Sequence, residues 1–131
     1  MSDSSHEPLI VVFCCRWAGA DGVAQRTNSL RLAWAPVLCA GAVSPNSVIE
    51  ALTTGADGVL LTACAAQGCH YPEGEERAAS RAEAIHLLLE DLGLEAARFR
   101  FELLEGGQGQ LAAALNEMAA ELRQLSPNPY A

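Results

Sequence analysis

Cys14, Cys15, Cys39, Cys64 and Cys69 are the side chains of this 131-residue chain best suited to chemistry. Thiolates are nucleophiles and soft ligands, which select iron–sulfur clusters, zinc or copper(I) over hard cations. Cysteine is also a small hydrophobe, and one standing alone in a strand is as readily core as ligand. Four residues separate the thiols of Cys64-Ala-Ala-Gln-Gly-Cys69, a spacing shared with the first ligand pair of plant-type ferredoxins. Gly41 and Gly68 carry no side chain to obstruct backbone amides from approaching sulfur. The absence of any C-x-x-C argues against a thioredoxin-like dithiol and weakens, without removing, the case for a structural zinc site. A cysteine phosphatase needs arginine six residues after its nucleophile, whereas Ala20, Asp21 and His70 follow Cys14, Cys15 and Cys64 at that distance.

Composition narrows the setting. With 16 acidic against 8 basic residues the net charge is −8, and every basic residue is arginine. Nucleic acid and anionic lipid are therefore poor partners. The chain is long enough for one buried core and too short for two. Residues 1–8 read as a disordered polar N-terminus without a secretory signal, 9–126 as the domain, and 127–131 as a C-terminal tail. No apolar run approaches the length of a membrane span, so a cytoplasmic protein is expected. In a reducing compartment five cysteines point to metal or redox use before disulfides.

The elements that must position the thiols can be read along the chain. Leu9 to Cys15 is a continuous apolar run, the pattern of a strand buried on both faces. A short helix is expected within Asp21 to Ser29. Leu30 to Cys39 is a second strand region, with Pro36 predicting a brief strand or one beginning near Val37. Ser44-Pro45 starts a helix, with Val48, Ile49 and Leu52 inward and Gly55 closing it. Val59 to Cys64 is a third strand. A helix from Glu75 to Gly93 buries Ala78, Ala82, Ile85, Leu88 or Leu89, and Leu92. Phe99 to Leu104 is a fourth strand, and Leu111, Leu115, Met118, Leu122 and Leu125 stripe a last helix. This alternation predicts an α/β fold, a single-domain flavodoxin-like three-layer sandwich on a mainly parallel sheet of about four strands. Such sheets bind ligands beyond the carboxyl ends of their strands, the edge on which all five cysteines would fall.

Gly55-Ala56-Asp57-Gly58-Val59-Leu60-Leu61, then Cys64 and Cys69-His70-Tyr71, with Gly74, Arg77, Arg81 and Glu83-Ala84, resemble a known family over nearly the whole chain. Phe13-Cys14-Cys15-Arg16-Trp17, Gly19-Ala20-Asp21 and Cys39-Ala40-Gly41-Ala42-Val43 fit it too. That family is the delta, iron–sulfur subunit of methyl-viologen-reducing (F420-non-reducing) hydrogenase, of the MvhD/FlpD type, which partners heterodisulfide reductase. The resemblance implies a [2Fe-2S] cluster that takes electrons from the subunit of a hydrogenase or other dehydrogenase and passes them to a heterodisulfide-reductase-like flavin subunit. By position Cys15, Cys39, Cys64 and Cys69 match the family's cysteines, with Cys14 as the alternative to Cys15. The chain departs where Ala18 follows Trp17 in place of a further cysteine, and where Ala42 and Ala65 replace the family's Arg and His.

The remaining candidates have plainer readings. His70 and Tyr71 more readily order a loop than ligate, and Arg16 is as readily a surface ion pair as a neighbour of the cluster. Asp21 and Asp57 read as turn or cap residues, since no nucleophile accompanies them. Glu73, Glu75 and Glu76 read as a solvated helix start. Trp17 would lie beside the cluster, while Trp34 and Met118 read as core. With no glycine-rich nucleotide loop the chain looks like a relay, and a zinc-binding interaction domain or a metal-free thiol-redox protein are the competing classes.

Overall fold

A computed structural model of the chain describes residues 7–15, 31–37, 43–64, 74–104, 108–125 and 128–130. The strands are β1 (Leu9–Cys15), β2 (Arg31–Val37), β3 (Gly58–Cys64) and β4 (Phe99–Leu104), and the helices α1 (Pro45–Thr53), α2 (Gly74–Leu92) and α3 (Gln108–Arg123). All strand pairs are parallel and the order is β2-β1-β3-β4, so the fold is the α/β, flavodoxin-like sandwich expected. The helix expected within Asp21 to Ser29 lies outside the described residues.

Alternation along the strands divides the core into two layers. Val59, Leu61 and Phe99, supported by Val11, Phe13 and Phe101, pack on Val48 and Leu52 of α1 and on Ala82, Ile85 and Leu89 of α2. Ile10, Val12 and Leu60 turn the other way, onto Leu111, Leu115, Met118 and Leu122 of α3. Burial on both faces explains why β1 and β3 read as unbroken apolar runs. Gly58 lets α3 sit close, for a Cβ there would lie 2.7 Å from Leu122 Cδ1 and 2.8 Å from Met118 Cε.

The helix ends follow local chemistry. Ser44 caps α1, its Oγ accepting from the Ser47 amide at 3.3 Å, and Pro45 occupies the first turn. In α2 the inward residue is Leu89, while Leu88 is half-exposed. Gly93, at φ 76°, closes that helix, with Gly93 N–H donating to Glu90 O and Leu94 N–H to Leu89 O. This is the paired 6→1 and 5→2 arrangement, with Leu94 packed in the same cluster as Leu89. The second strand runs through Pro36, which pairs with Cys14. Among the described residues β2 has only β1 as a neighbour, and an edge strand tolerates the missing proline donor.

Among the described residues, several polar bonds hold the amino edge of the sheet. Asp57, just before β3, accepts from the Leu9 amide through Oδ2 at 2.9 Å and donates its own amide to Leu9 O at 2.8 Å. Buried Arg98 donates to Asp57 O at 2.9 Å and to Glu95 Oε1 at 2.7 Å. Both terminal segments are held here. Glu7 pairs with Arg123 at 2.9 Å. Buried Asn128 donates to Leu52 O and Ala56 O at 2.8 and 2.7 Å and accepts from the Tyr130 amide, while Tyr130 Oη donates to Leu92 O.

Two outcomes test this edge. Asn128→Ala should lower the unfolding free energy by about 2 kcal/mol, the order expected when buried carbonyls lose their donor. Asn128→Asp should cost more, because a carboxylate cannot donate to Leu52 O and Ala56 O. Denaturant midpoints measure both, and an Asp variant at least as stable as the Ala variant would contradict the assigned donor. The hydrogen bond from Arg98 holds the Glu95 carboxyl below the usual carboxylate range. Its stabilisation is therefore complete above the pKa of an unfolded glutamate and is lost as pH falls through the lowered one. The stability gap between wild type and Glu95→Gln should shrink over that acidic interval, as unfolding midpoints measured against pH would show.

Candidate functional site

In a parallel sheet every strand finishes on one edge. The order β2-β1-β3-β4 reverses direction at β1, since the chain goes from β1 to β2 on one side and then crosses to β3 on the other. Open α/β sheets form their ligand crevice beyond the carboxyl ends of the strands flanking such a reversal. Cys14 and Cys15 are the last residues of β1, and Cys64 is the last residue of β3. Neighbouring strands lie about 4.8 Å apart, so these backbone positions are within reach of a common thiolate-bound centre. Cys39 follows the end of β2 by two residues and Cys69 follows Cys64 by five; both lie outside the described residues. Among the described residues, no group of three or more His, Cys, Asp or Glu is placed to hold a metal ion.

Two side chains that residue type alone did not single out organise this edge. Thr62 is fully buried, and its Oγ1 donates to Phe13 O at 3.3 Å, tying β3 to β1 just before their cysteines. Arg81, half-buried on α2, donates through Nη1 to Val43 O at 2.9 Å. Val43 is the residue before the cap of α1. Both bonds join segments far apart in sequence, which no local pattern announces.

Other candidates fall elsewhere. Arg16, Trp17, Asp21, Gly41, Gly68, His70, Tyr71 and Glu73 lie outside the described residues. Glu75 and Glu76 occupy the first turn of α2, where negative charge is favoured. Asp57 sits at the opposite end of β3, about 20 Å away at a strand's usual rise, and ties strands as a turn residue should. Met118 is core as expected, but Trp34, on the edge strand, is 36% exposed. Beside the sheet's other edge, Arg100 reaches Glu117 at 2.8 Å and Glu102 at 3.3 Å, and Gln110 donates to Glu102. Burial works against the charge of Arg100, but those two carboxylates outweigh it and hold its pKa above the ordinary arginine value. This is a structural ion network with no thiol in it. No helix of the described residues is long and apolar enough to cross a membrane.

The family model described as "Methyl-viologen-reducing hydrogenase, delta subunit" matches residues 10–126. The iron-sulfur protein of the F420-non-reducing hydrogenase of Archaeoglobus profundus is 38% identical over 128 residues, covering 92% of this chain and 93% of that protein. The vhc iron-sulfur protein of the F420-non-reducing hydrogenase of Methanococcus voltae is 32% identical, covering 92% and 88%. One component of a ferredoxin/F420H2-dependent CoB-CoM heterodisulfide reductase, from Methanosarcina acetivorans, is 30% identical over 126 residues, covering 92% of this chain but 16% of that longer protein. On this match, which spans nearly all of the sheet and its helices, the chain belongs to the methyl-viologen-reducing hydrogenase delta subunit family.

Proposed function

We propose that this chain is an electron-transfer subunit carrying a [2Fe-2S] cluster held by Cys15, Cys39, Cys64 and Cys69, with Cys14 the alternative to Cys15. The observation that carries the reading is the reversal point of the sheet, where Cys14 and Cys15 end one strand and Cys64 ends its neighbour. The donor set is chemically suited to such a group, being soft thiols with no carboxylate among them. The relatives named for iron and sulfur support an iron–sulfur cofactor, and the reductase relative supports, as one partner, a heterodisulfide-reductase-like flavin subunit. A hydrogenase or other dehydrogenase subunit would be the second.

When bound, such a cluster supplies one-electron chemistry, with no substrate bond made or broken. The chain's own residues do the rest. Leu60, Leu61 and Val12 close the sheet behind the cysteines with fully buried side chains and so exclude water from that side. Thr62 fixes the spacing of the two strand ends from which the thiols depart. The net charge of −8 suits a carrier that meets protein surfaces and has no need to hold polyanions.

Anaerobically purified protein should contain about two irons and two sulfides per chain, with broad visible absorption that bleaches on reduction. A colourless protein with stoichiometric zinc would overturn the reading. Cys15→Ser should lose or alter the cluster while Cys14→Ser keeps it, and the reverse result would transfer the ligand to Cys14. Iron content and the spectrum of each variant decide between them.

A further inference from the structure

Two of the four proposed ligands, Cys39 and Cys69, lie on different connections, one between β2 and α1 and the other between β3 and α2. A polydentate site works only if such connections keep a fixed relation to each other. Resting on the cluster reading above, we infer that Arg81 is a positioning residue, a clamp that ties Val43, where the Cys39 connection ends, to α2, the helix that follows the Cys69 connection. Its Nη1 donates to Val43 O at 2.9 Å across 38 residues of sequence. Val43 is where the Cys39 connection ends, directly before the cap Ser44, and its side chain is buried. Arg81 stands about two turns into α2, the helix that begins where the Cys69 connection ends. One guanidinium therefore ties the far end of one cysteine-bearing segment to the helix that terminates the other.

The apolar core, which includes the Val43 side chain, holds these segments together without giving the contact a direction. Val48 and Leu52 of α1 and Ala82, Ile85 and Leu89 of α2 already hold those helices to the sheet. Apolar contact is non-directional and allows small axial shifts. A bond from a charged donor to one carbonyl has a preferred length and angle and fixes the start of α1 against sliding along α2.

The test uses the full chain, anaerobically loaded, as wild type, Arg81→Met and Arg81→Lys. Methionine keeps much of the stem and loses the donors, whereas lysine keeps a charged donor. Arg81→Met should release iron to a ferrous chelator about tenfold faster, the size of effect expected from losing one charge-assisted hydrogen bond. It should also change the low-temperature electron paramagnetic resonance line shape of the reduced protein, while its unfolding stays a single transition. Arg81→Lys should restore the line shape toward wild type. In metal-free protein, Arg81→Met should raise the alkylation rates of Cys39 and Cys69 and leave that of Cys64 unchanged. Should Arg81→Met fail to fold, Arg81→Lys against wild type carries the same measurements, with intermediate rates expected. Wild-type line shape, release rate and alkylation pattern in Arg81→Met would overturn the clamp, as would losses in both variants that merely follow global stability. If wild type holds zinc, the cluster reading fails but the clamp does not. Zinc release to a chromophoric chelator then takes the place of iron release, and the same rate in Arg81→Met as in wild type would overturn the clamp.

Discussion

The bond pair between Asp57 and Leu9 sets the level at which the first and third strands meet. The carboxylate accepts the Leu9 amide while the Asp57 amide donates to Leu9 O, so β3 can start in one position only relative to β1. In a strand, a slip of one residue would also turn Val59 and Leu61 onto the face of α3 and Leu60 onto that of α1 and α2. Both core layers depend on that register. So does the height at which Cys15 and Cys64 emerge at the far end, since a strand transmits its register unchanged along its length.

The amino edge is rich in bonds that hold the fold: Asp57, buried Arg98 with Glu95, and Asn128 with its two carbonyls. Among the described residues of the carboxyl edge, Thr62 donates to the end of β1, Arg81 to the residue before the cap of α1, and Gln110 to Glu102. The run Gly55-Ala56-Asp57-Gly58, among the most specific in the sequence, belongs to the first group. Ala56 O receives Asn128, Asp57 joins the strands, and Gly58 admits α3. A motif of this family can therefore serve the scaffold and lie far from the strand ends that carry the cysteines.

Much of the architecture was legible because the patterns are local. The apolar runs of β1 and β3, the Ser44-Pro45 start and the Gly93 stop each state their element within a few residues. Pro36 misled because its effect depends on whether the strand lies at an edge, which only the sheet order decides. Leu88 and Leu89 were not separable, since adjacent helix positions differ by a rotation smaller than the apolar stripe is wide. Trp34 reads as core from its type, yet an edge strand offers less cover than a central one. Thr62, Arg81 and Arg98 act across gaps of 49, 38 and 41 residues, and long-range hydrogen bonds leave no periodicity to read. The placement of Cys14, Cys15 and Cys64 at the carboxyl edge was legible because parallel topology sends every strand end the same way.

The binding of both terminal segments at the amino edge has a further consequence. Glu7 is held by Arg123 at the end of α3, and Asn128 and Tyr130 by the ends of α1 and α2. Glu7 and Tyr130, the outermost described residues, are thus held at the base of the sheet, a strand's length from Cys14, Cys15 and Cys64. Chain that continues from those two positions starts at the end of the sheet remote from the cysteines of β1 and β3. The Methanosarcina acetivorans reductase component, of which the matching stretch is 16%, carries such a stretch within a longer polypeptide.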